Sequence, residues 1–81
     1  ELMMVKIRAN AGQRESVHAV VQIFRASIVD VGKSSLTILL TGDQSKLDAL
    51  LKLLEEYEIL ELARTGITGL SRGAEDVRYL P

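Results

Sequence analysis

Apolar residues recur in this sequence with two different periods, and the order of those periods limits the fold more than any other feature. Strand-like stretches, which alternate or are rich in β-branched residues, lie near residues 2–8, 27–31, 36–41 and 59–67. Two further stretches, residues 17–24 and 47–54, have apolar residues at i, i+3, i+4 and i+7, as one face of a helix does. The sequence therefore predicts the element order β-α-β-β-α-β.

Turn-forming residues separate these stretches at points that agree with this order. Asn10, Ala11 and Gly12 interrupt the chain after the first strand. A short glycine-containing turn at residues 32–34 joins the second and third strands as a hairpin. The second helix is expected to begin near Asp43 or Ser45, and either side chain suits the N-cap position.

The order of elements also predicts their arrangement. Both β-α-β crossovers should be right-handed, which places the two helices on the same side of one sheet. We therefore expect an α+β fold of the ferredoxin-like, split βαβ type, with a four-stranded antiparallel sheet and two helices on one face. This domain is expected to span residues 1–73, and residues 74–81 are expected to form a polar, flexible tail.

Such a fold leaves one face of the sheet uncovered, with a projected area of about 350 Å². Strict alternation puts one apolar set on this face: Leu2, Met4, Ile28, Leu39, Ile59 and Ala63. The same rule places charged and hydroxyl side chains among them: Lys6, Arg8, Asp30, Thr37, Thr41 and Glu61. An apolar patch of this size is often functional, and two-fold pairing is the commonest assembly. We predict a homodimer through this face; a mixed, solvated surface is the alternative.

Composition excludes several classes of function. The 81 residues contain no cysteine and one histidine, so disulfide scaffolds, thiol catalysis and transition-metal sites are not expected. The net charge of −1 provides no basic field for nucleic acid or an anionic membrane. No apolar run is long enough to span a bilayer and no leader opens the sequence, so we expect a cytoplasmic location. Because the first residue is Glu1 and not Met, we expect a fragment or a processed product.

The sequence shows no group of residues typical of a catalytic site, so we expect neither an enzyme nor a cofactor. His18 falls on the polar side of the first helix, and three glutamates at residues 55–58 follow the second helix, as a solvated terminus would have them. Gly66 and Gly69 lack the following helix and lysine of a phosphate loop. The three aromatic residues do not fall on the open face, which argues against RNA binding.

One small-molecule site can be considered at the turn between the first strand and the first helix. Free backbone N–H groups at a helix start suit a carboxylate. Residues that could line such a site are Asn10, Gly12, Gln13 and Arg14. The alternative is a plain strand-to-helix turn.

Four segments together resemble a known family. They are residues 1–7 (ELMMVKI), 23–31 (IFRASIVDV), 46–51 (KLDALL) and 61–73 (ELARTGITGLSRG). In order and in register, they resemble the C-terminal domain of the small, regulatory subunit of acetolactate synthase (acetohydroxyacid synthase) over residues 1–73. Arg64, Thr65, Gly66 and Arg72 fall within the family's best-defined end motif, and their individual roles stay open.

The resemblance implies a function that the residues alone do not. The family's small subunit is not an enzyme; it binds the thiamine-diphosphate-dependent catalytic subunit and raises its activity. It also confers feedback inhibition by branched-chain amino acids, chiefly valine, through a site mainly in an N-terminal ACT domain. The resemblance therefore assigns no effector-binding residue here. The alternative is a free-standing ACT-type amino-acid sensor that uses the turn at Gly12.

Overall fold

The strands in the described part of the chain form one mixed sheet. The computed structural model describes residues 1–65 and 79–80. Its elements are β1 (Leu2–Arg8), α1 (Arg14–Phe24), β2 (Ser27–Val31), β3 (Ser35–Thr41), α2 (Gln44–Leu54), β4 (Ile59–Arg64) and β5 (Tyr79–Leu80). The first four strands are antiparallel in the order β2-β3-β1-β4, and β5 lies parallel to β4 at the edge. The predicted βαββαβ fold with its four-stranded antiparallel sheet is confirmed.

The end of the chain differs from the sequence prediction where it is described. The last predicted strand, residues 59–67, is observed as β4, which ends at Arg64. Tyr79–Leu80 forms a short strand at a place where we expected only a flexible tail. The remaining tail residues, together with Gly66, Gly69 and Arg72, lie outside the described residues. The domain boundary after residue 73 therefore stays a prediction.

The core lies between the two helices and one face of the sheet. Burial alternates along β1, where Met3, Val5 and Ile7 are fully buried. The helical stripes supply the other side of the core: Val17, Val21, Leu47, Leu50 and Leu54. Both periods of the sequence therefore correspond to burial on one face of the sheet. Among residues 1–65 and 79–80, no helix or second sheet covers the opposite face.

Asp43 is the N-cap of helix α2, so of the two predicted candidates, Asp43 and Ser45, it is Asp43 that caps the helix. The Asp43 carboxylate accepts a hydrogen bond of 2.9 Å from the Lys46 N–H and another of 2.9 Å from the Ser45 hydroxyl. These bonds, above all the one from the Lys46 backbone, lower the pKa of Asp43. Ser45 therefore lies inside the helix and supports the cap.

Helix α1 ends in a Schellman motif built around an unusual residue. Arg25 has a positive φ of 56°, a left-handed conformation in which glycine is normally preferred. Its N–H donates to the Gln22 carbonyl at 3.1 Å, and the Ala26 N–H donates to the Val21 carbonyl at 2.9 Å. The carbonyls of Val21 and Gln22 therefore both accept hydrogen bonds at the end of the helix. They do so although Arg25, unlike glycine, has a side chain that makes a positive φ unfavourable.

The buried guanidinium group of Arg64, on β4, contacts both the first residue of the chain and helix α2. The side chain of Arg64 is 4% exposed, and its Nη1 lies 2.7 Å from Asp48 Oδ1 of α2. Its Nη2 lies 3.9 Å from Glu1 Oε1. The neighbouring Thr65 exchanges hydrogen bonds of 2.8–2.9 Å with the backbone of Leu2. Arg64 and Thr65 of the end motif therefore hold the first residues of the domain in place.

Candidate interaction face

The open face of the sheet is the surface whose composition the sequence predicted in most detail, and the structure corrects it at two positions. Ile28 pairs with Ile38, which is fully buried under the helices, so Ile28 points to the helix side and packs against the core. The prediction for Ile28 was wrong because a β-bulge between Ile28 and Asp30 inserts Val29 into β2. Val29 and Asp30 line a groove on the open face instead.

The second correction has the same physical cause. Ile59 pairs with the buried Ile7 and packs against the core, so it does not belong to the open face. The register between β1 and β4 shifts between Lys6 and Ile7, which leaves Leu60 as the extra residue. Alternation counted back from Glu61 therefore assigns Ile59 to the wrong side.

The other predicted residues form two rows across the sheet, which we call the charged row and the apolar row. The charged row consists of Asp30, Thr37, Lys6 and Glu61 on β2, β3, β1 and β4. The apolar row is formed by Leu39, Met4 and Ala63, with Ser27 at its β2 end. Leu2 continues the apolar surface next to Thr41 in the following pair. Of the six apolar residues predicted here, Leu2, Met4, Leu39 and Ala63 occupy the open face.

A shallow groove of about 310 Å³ runs between the two rows. Its apolar walls include Met4 and Val29, which are 42% and 49% exposed. Thr37 also lines the groove and is 9% exposed. Lys6 Nζ lies 3.9 Å from Glu61 Oε1, and their side chains are 34% and 62% exposed, so this pair is weak and hydrated. The face therefore combines apolar contact surface with charges of both signs.

Several polar groups of the turn before α1 have partners within the chain. The Gln13 N–H donates to Asn10 Oδ1 and the Asn10 N–H donates to Gln13 Oε1, both at 3.0 Å. Arg14 is directed away from the turn, because its Nη2 donates to the carbonyls of Gly32 and Lys33 at 2.5 and 2.8 Å. Gly12 is exposed between them. The structure brings Asn10 and Gln13 together through two reciprocal hydrogen bonds, and a ligand site at this turn stays a prediction.

The titratable residues considered for catalysis have ordinary structural partners. His18 is exposed on α1, and its Nε2 lies 3.2 Å from the side-chain nitrogen of Gln22. Glu58 accepts a hydrogen bond of 2.9 Å from Arg8 Nε on β1. In the part of the chain that is described, no group of three or more His, Asp or Glu residues is arranged to hold a metal ion. Within the same residues, neither helix has the length and hydropathy needed to cross a membrane.

Comparison with known proteins shows what this sequence and fold resemble. A family model described as the small subunit of acetolactate synthase matches residues 1–73. The acetolactate synthase small subunit of Mycobacterium bovis is 44% identical over 77 residues, which cover 95% of this chain and 46% of that protein. The corresponding protein of Bacillus subtilis is 39% identical over 75 residues, covering 93% of this chain and 44% of that protein.

A solved structure agrees with these sequence matches. The crystal structure of the acetolactate synthase small subunit from Thermotoga maritima has a TM-score of 0.74 and 34% sequence identity. The alignment covers 80% of this chain and 40% of that chain. The protein therefore spans less than half the length of the relatives that it matches.

Proposed function

The chain belongs to the family of acetolactate synthase small subunits, as its C-terminal domain, and on that premise we propose that it is a regulatory domain without catalytic activity of its own. It acts on acetolactate synthase in the biosynthesis of valine, leucine and isoleucine. The observation that carries this proposal is the family match, which runs through residues 1–73. The relatives are named small subunits, which supports the existence of a larger catalytic partner.

Self-association through the open face is the second part of the proposal. Helices α1 and α2 cover one side of the sheet, and the other side carries the apolar row with Met4 42% exposed. Burying such a row removes apolar area from water, which is the main driving force of association. Two copies joined through this face leave both helix layers and the exposed edge of β2 free for the catalytic subunit. Mass measured by light scattering should rise with concentration from that of a monomer towards twice that value.

The activity of the catalytic subunit tests the regulatory role directly. The thiamine-diphosphate-dependent subunit is titrated with this chain, with and without valine, and acetolactate formation is followed. The resemblance places the effector site mainly in the family's N-terminal domain, outside the matched residues, so we expect activation that valine does not reverse. A chain that changes neither the rate nor the sedimentation of the catalytic subunit would contradict the proposal.

A matched control makes this titration more specific. Lys52 is exposed on α2 and Lys6 lies on the open face, so Lys52→Glu and Lys6→Glu change the charge equally on the two sides of the molecule. If the helix layer contacts the catalytic subunit, Lys52→Glu should weaken activation more than Lys6→Glu. A loss of activation confined to Lys6→Glu, at a concentration where that variant self-associates like the original chain, would instead place the catalytic subunit on the open face.

A further inference from the structure

The signs of the charges in the charged row restrict how two copies of the open face can meet. The row has the order negative, neutral, positive, negative: Asp30 on β2, Thr37 on β3, Lys6 on β1 and Glu61 on β4. Aligned sheets pack face to face with their strands nearly parallel. In a symmetric pair whose two-fold axis runs along the strands, each row of one copy therefore faces the same row of the other.

The position of that axis decides which charges meet. An axis along β3 exchanges its two neighbours, β2 and β1, and brings Asp30 over the partner's Lys6, twice by symmetry. An axis along β1 would bring Lys6 over the partner's Lys6. An axis between β3 and β1 would bring Asp30 over the partner's Glu61. Like charges in contact are unfavourable, so only the axis along β3 places opposite charges together while keeping β2, β3 and β1 within the interface.

The apolar row fits the same arrangement. With the axis along β3, Leu39 meets the partner's Leu39 at the centre. Met4 then lies over the β2 strand of the partner, where Ser27 and the exposed Val29 are found. Glu61 stays at the rim beside Lys6 of its own chain. An apolar centre with two charged pairs beside it is the usual anatomy of a specific interface.

We infer that a second copy of this chain docks on the open face about an axis along β3, with two reciprocal Lys6–Asp30 pairs that set its register. This inference rests on the proposed self-association. The flat projection of the whole open face is about 350 Å², and the axis along β3 leaves β4 outside the contact. The interface is therefore small compared with the roughly 800 Å² of accessible surface that each partner buries in a standard complex. Association is therefore weak, and partly desolvated charge pairs have a measurable effect on it.

Charge-swap variants of the full chain test the register. Lys6→Glu and Asp30→Lys each place like charges together, so each alone should raise the dimer dissociation constant at least about tenfold. An equimolar mixture of the two single variants restores both pairs and should form a heterodimer with an affinity within about threefold of the original chain. The double variant K6E/D30K should likewise form a homodimer. Sedimentation velocity at several concentrations measures all four samples.

The controls distinguish a wrong register of the two copies from a failure of the chain to self-associate. Lys52→Glu changes the net charge as Lys6→Glu does, but on α2, and should leave the dissociation constant unchanged; thermal unfolding of every variant verifies the fold. If single variants and mixture all associate like the original chain while Met4→Asp does not associate, the register is wrong and the interface stands. If the original chain is monomeric at ~1 mM, both the register and the proposed self-association are wrong.

Discussion

The two faces of this sheet carry similar residues but have different consequences for the molecule. Leu39 and Leu40 are neighbours on β3, yet Leu40 is 2% exposed beneath the helices while Leu39 lies half-buried on the open face. Met3 and Met4 differ in the same way, at 0% and 42% exposure. An apolar side chain therefore stabilises the folded chain on one face, and on the other it contributes chiefly when a second molecule covers it.

The ion pairs of the two faces show the same contrast. Arg64 and Asp48 form a contact of 2.7 Å in which the Arg64 side chain is 4% exposed. Lys6 and Glu61 are 3.9 Å apart with both side chains in contact with solvent. Removing the partner of a buried charge leaves that charge in a poorly solvated place, whereas removing the partner of an exposed charge does not. The pair on the covered side is therefore the one on which folding depends.

The largest expected effect comes from truncating the covered leucine. Leu40→Ala should lower the free energy of unfolding by about 2–5 kcal/mol, because it leaves a cavity between the sheet and the helices. Leu39→Ala, the same substitution one residue earlier, should cost at most about 1 kcal/mol and should weaken self-association. Urea unfolding at low protein concentration measures both. Equal losses in the two variants would show that the faces do not differ as described.

A smaller effect is expected from the ion pair on the covered side. Asp48→Ala should destabilise the fold by about 1–3 kcal/mol, because it removes the nearest carboxylate from the buried guanidinium of Arg64. Glu61→Ala on the open face should change stability by less than about 1 kcal/mol. Thermal unfolding of both variants tests this ranking, and the reverse ranking would contradict it.

The cap of α2 should have a modest effect that depends on pH. Asp43→Ala removes the acceptor for the Lys46 N–H and should lower Tm by a few degrees at neutral pH. The pKa of Asp43 is lowered in the folded state, so its ionised form stabilises folding at neutral pH, and this contribution is lost as pH falls through that lowered value. The difference in Tm between the variant and the original chain should therefore shrink in acid. A difference that stays constant down to about pH 2 would show that the charge of Asp43 has no part in the effect.

The smallest expected change is a gain at the end of α1. Arg25→Gly should stabilise the fold by about 0.5–1 kcal/mol, because glycine adopts the positive φ of 56° without steric cost. Arg25→Ala keeps the strain and removes the charge, so it should give no such gain. Urea unfolding of the two variants separates relief of strain from loss of charge. Equal gains from both substitutions would indicate that the charge is what matters.

The sequence predicts the order of the first six elements, β1 to β4 with the two helices, because most of their residues follow a strand-like or helix-like period. The sequence assigns two residues, Ile28 and Ile59, to the wrong face of the sheet. Both lie at a β-bulge, where one extra residue reverses the side to which the preceding residues point. Two apolar residues stand side by side at both places, Ile28 with Val29 and Ile59 with Leu60. The same is true of Met3 with Met4 and of Leu39 with Leu40, where the register is regular. Adjacent apolar residues therefore do not locate a bulge by themselves, because the second of them can equally well lie on an apolar open face.

The role of Arg64 could not be predicted for a different reason. Alternation in β4 puts it on the covered side, which is an unfavourable place for a charge without a partner. Its partner Asp48 is 16 residues earlier on α2, and only the packing of the helix on the sheet brings the two together. Reciprocal bonding of Asn10 and Gln13 was likewise hidden, although their spacing of three residues is that of a capping box.

The most direct test of the account compares one substitution on the two sides of the molecule. Met4 on the open face and Ile23 on α1 are both large apolar residues in contact with solvent, at 42% and 76% exposure. Sedimentation velocity over a range of concentrations is measured for the original chain, Met4→Asp and Ile23→Asp. We predict that the original chain and Ile23→Asp associate alike and that Met4→Asp stays monomeric. A Met4→Asp chain that associates as the original does would contradict the assignment of the open face.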